Sequence, residues 1–482
     1  MNMDEYAMLI HGEAWTGSGG VVEVVNPATG TLLTTVPDGD SADLDRAVES
    51  AALGLAEWRE THPRVRAQVL LRIAERLKEE ADDFAKLYSL NSGGSIVTGL
   101  WTIHDVVARR FEYYAGLADK IRGNTFTTPG EYLSYTLREP VGITAHIVPW
   151  NGPLWIGSRT IAPALAAGNS VVVKPSSEAP LTTIRFAQLA IECGLPPGVL
   201  NVVTGRGSGI GELLTQHQGF DGIYFTGSTG TGRRIMANAA MTNARTVMEL
   251  GGKSPNIVFA DANLESALDG AIAAIFANSG QICVAGSRLL VQESIHDEFV
   301  DRLAGRAQEI TIGGPEANAL MGPIISAAQK ARVLEYIEDG KSDAELITGG
   351  GTPDHLPDGF FLEPTIFDRV PNNARIAQEE IFGPVLAVTA FADQDEAISL
   401  ANDSEYGLAS AVWTENITRG HQVAASLEAA QVFINHYYTA AFEVSRSPYK
   451  ASGHGVSEGP DAIYEFLNQK SVSVRIGESG GW

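Results

Sequence analysis

The sequence predicts an α/β fold that combines a doubly wound parallel sheet, a second α/β domain and a small extension of strands. Between residues 141 and 250, strand patterns and helix patterns alternate five times with short turns between them. A second alternating unit begins after Gly251 and Gly252. The length of 482 residues exceeds what one hydrophobic core usually serves, so we expect two or three domains.

Residues 1–140 carry mainly helical patterns. Residues 1–35 are rich in turn chemistry and are typical of short strands. Residues 41–60 have helical spacing with Ser41 as the predicted cap, and Pro63 opens an amphipathic helix to about residue 87. A third helix is predicted over 102–118, and residues 132–137 alternate like a half-exposed strand.

The wound region supplies strands whose carboxyl ends meet at one edge of the sheet. Strands are predicted at 142–148, 170–174, 200–203, 222–225 and 246–250. The helices between them end near residue 167 or cover 181–193, 210–216 and 232–240. Because ligands of such sheets bind beyond the carboxyl ends, the residues after each strand are the first candidates for a site.

The second unit repeats the alternation less regularly. Strands are predicted at 256–259, 287–292, 385–391, 409–413 and 431–435. Helices are predicted at about 264–278, 295–307, 326–338 and 395–402. The tail at 471–476 alternates weakly and is too short for its own sheet, so we expect it to pair with an existing edge.

Composition excludes several classes of function. The net charge of −24 argues against a nucleic-acid partner, because phosphate binding needs a surplus of Lys and Arg. The two cysteines make no disulfide framework, and the acidic N-terminus lacks a signal pattern, so we predict a cytoplasmic protein. No apolar run approaches the roughly 20 residues of a membrane span. We predict no metal site.

One of the two cysteines stands in a predicted turn. Cys283 follows the apolar run 271–278, and Gly280 lets the backbone bend tightly before it. Ile282 and Val284 separate the sulfur from bulk water. Such a thiol is either an inert core residue or a nucleophile. Cys283 can act as a nucleophile only if its sulfur is ionised and a carbonyl carbon can reach it.

Polar side chains follow the predicted strands. Asn151 sits among apolar residues and prolines, which suits either a structural hydrogen bond or a donor aimed at an oxyanion. Glu249 between two apolar residues suits a general base, because burial raises a carboxyl pKa. The alternative for Glu249 is a salt bridge to Lys253. Lys174 ends a strand beside a loop rich in small residues, at 226–232, that suits a phosphate at a helix N-terminus. The alternatives are a surface lysine and a simple glycine-rich turn.

Together these motifs identify a family. From about residue 20 to its end, the chain resembles the aldehyde dehydrogenase superfamily. Six segments carry the resemblance in the family's order: 149–154, 174–180, 225–232, 249–255, 280–283 and 379–385.

The resemblance implies NAD(P)-dependent oxidation of an aldehyde to its acid. Cys283 would attack the aldehyde carbon, Asn151 and the Cys283 backbone N–H would hold the oxyanion, and Glu249 would activate water to hydrolyse the thioester. The implied cofactor contacts are Trp150, Lys174, Ser177, Glu178, Thr226, Gly227, Ser228, Gly232, Leu250, Glu380 and Phe382.

The resemblance also implies a division into three parts. Residues 1–121 and 141–249 would bind the cofactor, 250–451 would form the catalytic domain, and 122–140 with 452–482 would pair subunits. We therefore expect a homodimer or homotetramer.

The chain departs from the family at informative positions. Ser177 replaces a common glutamate and Glu178 follows it, which favours NADP or use of both dinucleotides. Gly152 replaces an aromatic residue and widens the mouth of the substrate tunnel. Arg446 stands where an apolar pocket residue is usual, and Arg159 is predicted to face the same tunnel. This pair suits an aldehyde with a carboxylate or other polar end; the alternative is that both arginines make structural ion pairs.

A further departure concerns a second glutamate that some relatives carry. Ser457 stands in its place, which weakens any claim about proton export. Two other functions remain open: a cysteine hydrolase without a redox step, and a catalytically silent family member that serves as a binding protein.

Overall fold

The computed structural model describes residues 6–129, 131–438 and 441–477. Its strands in chain order are β1 (Met8–Ile10), β2 (Glu13–Trp15), β3 (Val21–Val25), β4 (Leu32–Pro37), β5 (Thr125–Phe126), β6 (Tyr132–Pro140), β7 (Ile143–Val148), β8 (Ser170–Pro175), β9 (Leu200–Val202), β10 (Gly222–Thr226), β11 (Arg245–Glu249), β12 (Pro255–Val258), β13 (Arg288–Gln292), β14 (Glu345–Thr348), β15 (Thr365–Asp368), β16 (Val385–Phe391), β17 (Tyr406–Gly407), β18 (Ala409–Trp413), β19 (Gln431–Ile434), β20 (Tyr449–Lys450), β21 (Gly453–His454) and β22 (Leu467–Arg475).

The α-helices are α1 (Ser41–Trp58), α2 (Pro63–Glu79), α3 (Ala81–Ser92), α4 (Ile96–Trp101), α5 (Arg109–Leu117), α6 (Pro153–Ala167), α7 (Leu181–Glu192), α8 (Glu212–Gln216), α9 (Thr229–Thr242), α10 (Leu264–Phe276), α11 (His296–Gln308), α12 (Ala327–Asp343), α13 (Arg375–Gln378), α14 (Gln394–Asn402) and α15 (Ile417–Ser426). A π-helical segment, Thr102–Ala108, joins α4 to α5. Among the described residues, no helix is both long and apolar enough to cross a bilayer.

The first large sheet has the strand order β2-β1-β9-β8-β7-β10-β11-β21. Its five central strands are parallel and confirm the alternation predicted from the sequence. β8 shows how both faces are covered. Val171 and Val173 join the core that contains α2, α5, α6 and α7, whereas Val172 joins the core on the side of α1, α8 and α9. The doubly wound fold follows from this alternation.

The chain reverses its direction of travel across this sheet between β7 and β10. β7, β8 and β9 proceed toward one edge, and β10 and β11 proceed toward the other. In such sheets the crevice for a ligand opens at this switch point, beyond the carboxyl ends of the strands. Asn151 follows β7, and Thr226 and Glu249 end β10 and β11.

The second large sheet has the order β14-β15-β16-β13-β12-β18-β19. All of its pairs are parallel except the edge pair of β14 with β15. Leu289 and Val291 of β13 pack on the side of α10 and α11, and Leu290 packs on the side of α14 and α15. This sheet therefore also lies between two layers of helices.

A third sheet joins distant parts of the chain. β22 pairs antiparallel with β6 over nine residues, and β5 covers the other edge of β6. The prediction that the tail pairs with an existing edge is confirmed. The same C-terminal region supplies β21, which extends the first sheet beside β11.

Two local predictions need correction, and several elements were missed. The cap of α1 is Asp40, because its carboxylate accepts the N–H of Asp43 and Asp43 reciprocates. The single helix predicted from Pro63 is two helices that meet at Glu80, whose carboxylate binds Arg185 at 2.6 Å. Sequence patterns also missed α4, α15, β14 and β15.

Candidate active site

Cys283 lies in a turn shortly after α10, where the backbone bends sharply. Ala277–Gly280 form a 3-10 turn, in which Ser279 has a φ of 54° and Gly280 a φ of 72°. A Cβ atom at Gly280 would lie 2.1 Å from the carbonyl oxygen of Gly383. Only glycine fits this close approach, and the bend brings the half-buried Cys283 to a cavity wall.

The thiol of Cys283 is protonated near neutral pH. Burial raises its pKa to about 11, and the guanidinium groups of Arg159 and Arg446 oppose that rise. Desolvation outweighs the two arginines, and the requirement for an ionised sulfur stays a prediction. The thiol must give its proton to an acceptor before it can attack.

Asn151 connects the end of β7 to the cysteine turn. Its Nδ2 donates a hydrogen bond to the carbonyl oxygen of Gln281 at 3.0 Å, two residues before Cys283. An amide N–H group held in this way is a suitable donor to an oxygen that gains negative charge. Gly152 follows directly and lines the same cavity.

Glu249 ends β11 and is buried, with 4% of its surface exposed. The Ser457 hydroxyl donates to Oε1 of Glu249, and Arg159 Nη1 lies 3.8 Å from Oε2. The alternative salt bridge to Lys253 is wrong. Within the described ranges the Lys253 ammonium has no hydrogen-bond partner. Burial lowers its pKa, the carboxylates that oppose this change are Glu380 and Glu379, and Glu249 is not among them. The hydrogen bond from Ser457 fixes one carboxylate oxygen of Glu249, and Ser457 stands where some relatives carry a second glutamate.

Three arginine side chains converge on the buried carboxylate of Glu458. Arg110 Nη2 and Arg159 Nε lie 2.6 Å and 3.3 Å from Oε1, and Arg446 Nη1 lies 2.7 Å from Oε2. Burial opposes the charge on Glu458, but the arginines outweigh it and lower the pKa to about 2. Arg159 and Arg446 thus make the structural ion pairs of the sequence-based alternative and also line the cavity.

Sequence reasoning missed Arg110 and Glu458 as members of this site. They are 348 positions apart in the chain, and Arg110 lies within a helical pattern that has no visible link to the C-terminal region. Glu458 adopts a φ of 61°, which is uncommon for a residue other than glycine. The only sequence signal was its place next to Ser457, in a segment already known to depart from the family.

A cavity of about 640 Å³ brings the predicted residues together. This volume is typical of sites for small molecules. Aromatic rings form much of the remaining wall, and Trp101 meets Trp155 edge to face with ring centroids 5.4 Å apart. The predicted residues that line it are Asn151, Gly152, Arg159, Glu249, Cys283 and Arg446.

Lys174 and its neighbours form a polar group at the end of β8. Burial lowers the pKa of the Lys174 ammonium to about 8, and its Nζ donates to the carbonyl oxygen of Pro175 at 3.0 Å. The hydroxyl groups of Ser176 and Ser177 both donate to Oε2 of Glu178. An ammonium has three donors, so Lys174 retains protons for a ligand such as a ribose or a phosphate.

The loop of small residues after β10 leads directly into α9. The Gly227 N–H group donates to the carbonyl oxygen of Glu249 at 3.0 Å, and Ser228 caps α9 by accepting the N–H of Thr231. A Cβ atom at Gly232 would lie 2.4 Å from Leu250 Cδ2, so this glycine lets α9 pack closely on β11. The helix N-terminus with its small residues fits the phosphates of a dinucleotide.

Glu380 lies on the other side of this crevice. The Gly252 N–H group donates to Oε1 of Glu380 at 3.0 Å, while burial raises the pKa of this carboxyl to about 7. Phe382 has a φ of 59° and meets Trp150 edge to face at 5.2 Å. Of the residues expected at the nicotinamide end, Glu380 is therefore bonded to the Gly251–Gly252 turn, and Trp150 and Phe382 contact each other.

This fold and site define an oxidoreductase that binds a nicotinamide dinucleotide and acts on aldehydes. The model of the aldehyde dehydrogenase family matches residues 15–472, and the chain belongs to that family. This protein therefore catalyses the NAD(P)-dependent oxidation of aldehydes, as members of the family do.

Similar proteins cover nearly the whole chain. A hydroxyisobutyraldehyde dehydrogenase of Mycolicibacterium austroafricanum is 44% identical and spans 97% of this chain and 94% of its own. A betaine aldehyde dehydrogenase of Bacillus subtilis is 42% identical, with 93% of each chain covered. Among solved structures, betaine aldehyde dehydrogenase from Staphylococcus aureus in complex with NAD+ aligns with a TM-score of 0.97 at 37% identity, over 98% and 96% of the two chains.

Proposed function

We propose that Cys283, Asn151 and Glu249 are the catalytic residues of NAD(P)-dependent aldehyde oxidation to a carboxylic acid. The observation that carries this proposal is that all three line one cavity. Asn151 is bonded to the turn before Cys283, and Glu249 is fixed by Ser457. A nucleophile, an oxyanion donor and a base within one cavity are what acyl chemistry on sulfur requires.

The reaction divides into two stages. Glu249 takes the proton of the Cys283 thiol and releases it to solvent. The sulfur then bonds to the aldehyde carbon as the C=O π bond opens, and Asn151 Nδ2 donates to the oxygen that becomes negative. The dinucleotide, when bound, supplies the acceptor for the hydride that leaves the former aldehyde carbon. Cys283 then carries a thioester. Glu249 then takes a proton from a water molecule whose oxygen attacks the thioester carbon. The acid departs and the thiol is restored.

Replacing the nucleophile tests this assignment. Cys283→Ala is expected to lower the rate of reduced dinucleotide formation by about 10³-fold or more, because no covalent intermediate can form. The rate is measured by absorbance on adding an aldehyde. Cys193→Ala is the matched control, because Cys193 is buried in another core and should leave the rate unchanged. Full activity of Cys283→Ala, or ester hydrolysis without any reduced cofactor, would contradict the proposal.

We propose that the dinucleotide lies along the carboxyl ends of β8, β10 and β11. Lys174, Ser177 and Glu178 would face the adenosine ribose. Thr226, Gly227, Ser228 and Gly232 would face the pyrophosphate. Trp150, Leu250, Glu380 and Phe382 would surround the nicotinamide end. The buried Lys174 ammonium and the capped N-terminus of α9 support this arrangement.

We propose that the protein accepts both NAD and NADP as its dinucleotide, and that Glu178 sets the ratio of the two KM values. The negative charge of Glu178 acts on Lys174 and would repel a 2′-phosphate, whereas the serines beside it would tolerate one. Glu178→Gln is therefore expected to lower the KM for NADP by about 10-fold relative to that for NAD. Steady-state kinetics with each dinucleotide measure the ratio, and an unchanged ratio would remove Glu178 from this role.

We also propose the division of the chain at residues 1–121 with 141–249, 250–451, and 122–140 with 452–482. The third part would join copies of the chain into a homodimer or homotetramer. Its sheet exposes Leu133, Leu137 and Val474, which supports this proposal. A cytoplasmic location is supported by the two free thiols and by relatives described as cytosolic.

A further inference from the structure

The charged side chains of the cavity do not balance. Arg110, Arg159 and Arg446 line it together with Glu249 and Glu458. Glu458 is ionised, since its pKa is about 2. By formal charge, the three arginines of the lining outnumber its two glutamates by one. A buried excess charge is costly unless a ligand or solvent neutralises it.

Arg446 is the arginine best suited to meet a ligand. Arg110 is 1% exposed and binds Glu458, the carbonyl oxygen of Trp155 and Ser158. Arg159 lies between two carboxylates and is 8% exposed. Arg446 reaches Glu458 through Nη1 and keeps 11% of its side chain exposed, the largest fraction of the three. A guanidinium group has five donors, and among the described residues the Arg446 side chain makes an ion pair with Glu458 alone, so other donors remain for a ligand.

The rest of the wall favours a short apolar linker. Trp155, Ile156, Ile282 and Phe433 line the cavity with the arginines. Arg159, Arg446 and Cys283 line the same cavity. A ligand whose aldehyde carbon reaches Cys283 would therefore extend its other end within a space that the arginines also line.

We propose that the cavity selects short aldehydes that carry a carboxylate at the opposite end and discriminates against cationic aldehydes. Arg446 contacts the carboxylate, and Glu458, which Arg159 also binds, holds Arg446 in place. This inference rests on the proposed function, because attack by Cys283 fixes where the aldehyde lies. A carboxylate matches the planar fork of a guanidinium group, and it neutralises the excess charge.

Three aldehydes that differ mainly in charge test the selection. They are 4-oxobutanoate, its neutral methyl ester, and trimethylammonium acetaldehyde. The wild-type protein is expected to show a kcat/KM for 4-oxobutanoate at least about 10-fold above that for the ester, and a still lower value for the cation. A preference for the ester or the cation overturns the proposal.

Variants of Arg446 separate substrate contact from a general electrostatic effect. Arg446→Gln is expected to reduce the anion-to-ester ratio of kcat/KM by about 10- to 100-fold, chiefly through KM, whereas Arg446→Lys keeps part of the ratio. Glu458 retains Arg110 and Arg159 in both variants, and melting temperatures check the fold. Arg59→Gln on the surface is the control and should leave the ratio unchanged.

The remaining outcomes are also decisive. If Arg446→Gln slows all three aldehydes by the same factor, the arginine acts on the sulfur or the oxyanion, and the proposal is overturned. If the variant does not fold, inhibition of the wild-type protein decides the matter. Butanedioate should compete with 4-oxobutanoate at least about 10-fold better than butanediamide, and equal inhibition overturns the proposal. Failure of the proposed function looks different, because no aldehyde then yields reduced cofactor.

Discussion

Cys283 carries a proton near neutral pH because burial disfavours its charged form. Only the thiolate reacts with iodoacetamide, so the alkylation rate should rise about 10-fold per unit between about pH 7 and about pH 9. A Cys193→Ser background leaves Cys283 as the only thiol, and mass spectrometry measures its labelling.

Arg446→Gln in the same background should slow alkylation further at a given pH, because Arg446 lowers the pKa of the thiol. Arg59→Gln is the matched surface control. A labelling rate that levels off near pH 8 would contradict the assignment of a thiol pKa near 11.

Single residues differ in how far the sequence predicts them. The structure brings the predicted residues Cys283, Asn151 and Glu249 to one cavity, because each lies at or just after the end of a recognisable helix or strand. Arg110 and Glu458 were not found, because their contact joins elements 348 residues apart. Sequence patterns carry no record of such a pairing.

Among the elements, the turn Ala277–Gly280 sets the position of Cys283, the proposed nucleophile. Gly280→Ala should lower kcat by about 10²-fold or more, because a methyl group would meet the Gly383 carbonyl oxygen at 2.1 Å in a left-handed conformation. Gly305→Ala, in α11 with open space at its Cβ, is the control and should keep its activity. Wild-type kcat in Gly280→Ala would show that the turn can shift without harm.

Elements with strong periodicity were predicted well, and short or interrupted elements were not. β16 and β18 match their predicted bounds because continuous apolar residues mark buried strands. The break at Glu80 was missed, because helical spacing continues on both sides while a tertiary ion pair with Arg185 lies at the junction. β14 and β15 have only four residues each, too few for a reliable period.

The whole molecule presents an apolar face on its third sheet. Leu133, Leu137 and Val474 are each 42% exposed, and Val474 lies opposite Leu133 in the register of β6 with β22. If this face joins subunits, Leu133→Lys with Leu137→Lys should lower the mass measured by light scattering, because buried charges oppose association.

Leu53→Lys is the control for this change of mass. Leu53 is 65% exposed on α1, away from the third sheet, and its replacement should leave the assembly intact. A wild-type protein that is monomeric at every concentration, or a double variant that keeps the wild-type mass, would contradict the proposed pairing.

The C-terminal segment that supplies β21, β22, Ser457 and Glu458 has a consequence for synthesis. β6 must wait for a partner strand more than 300 residues later, and Glu249 and the arginines must wait for Ser457 and Glu458. A ribosome therefore carries Cys283, the proposed nucleophile, for many codons beside an unfinished pocket. The nascent chain becomes reactive in the proposed way only after the segment with Ser457 and Glu458 has been synthesised.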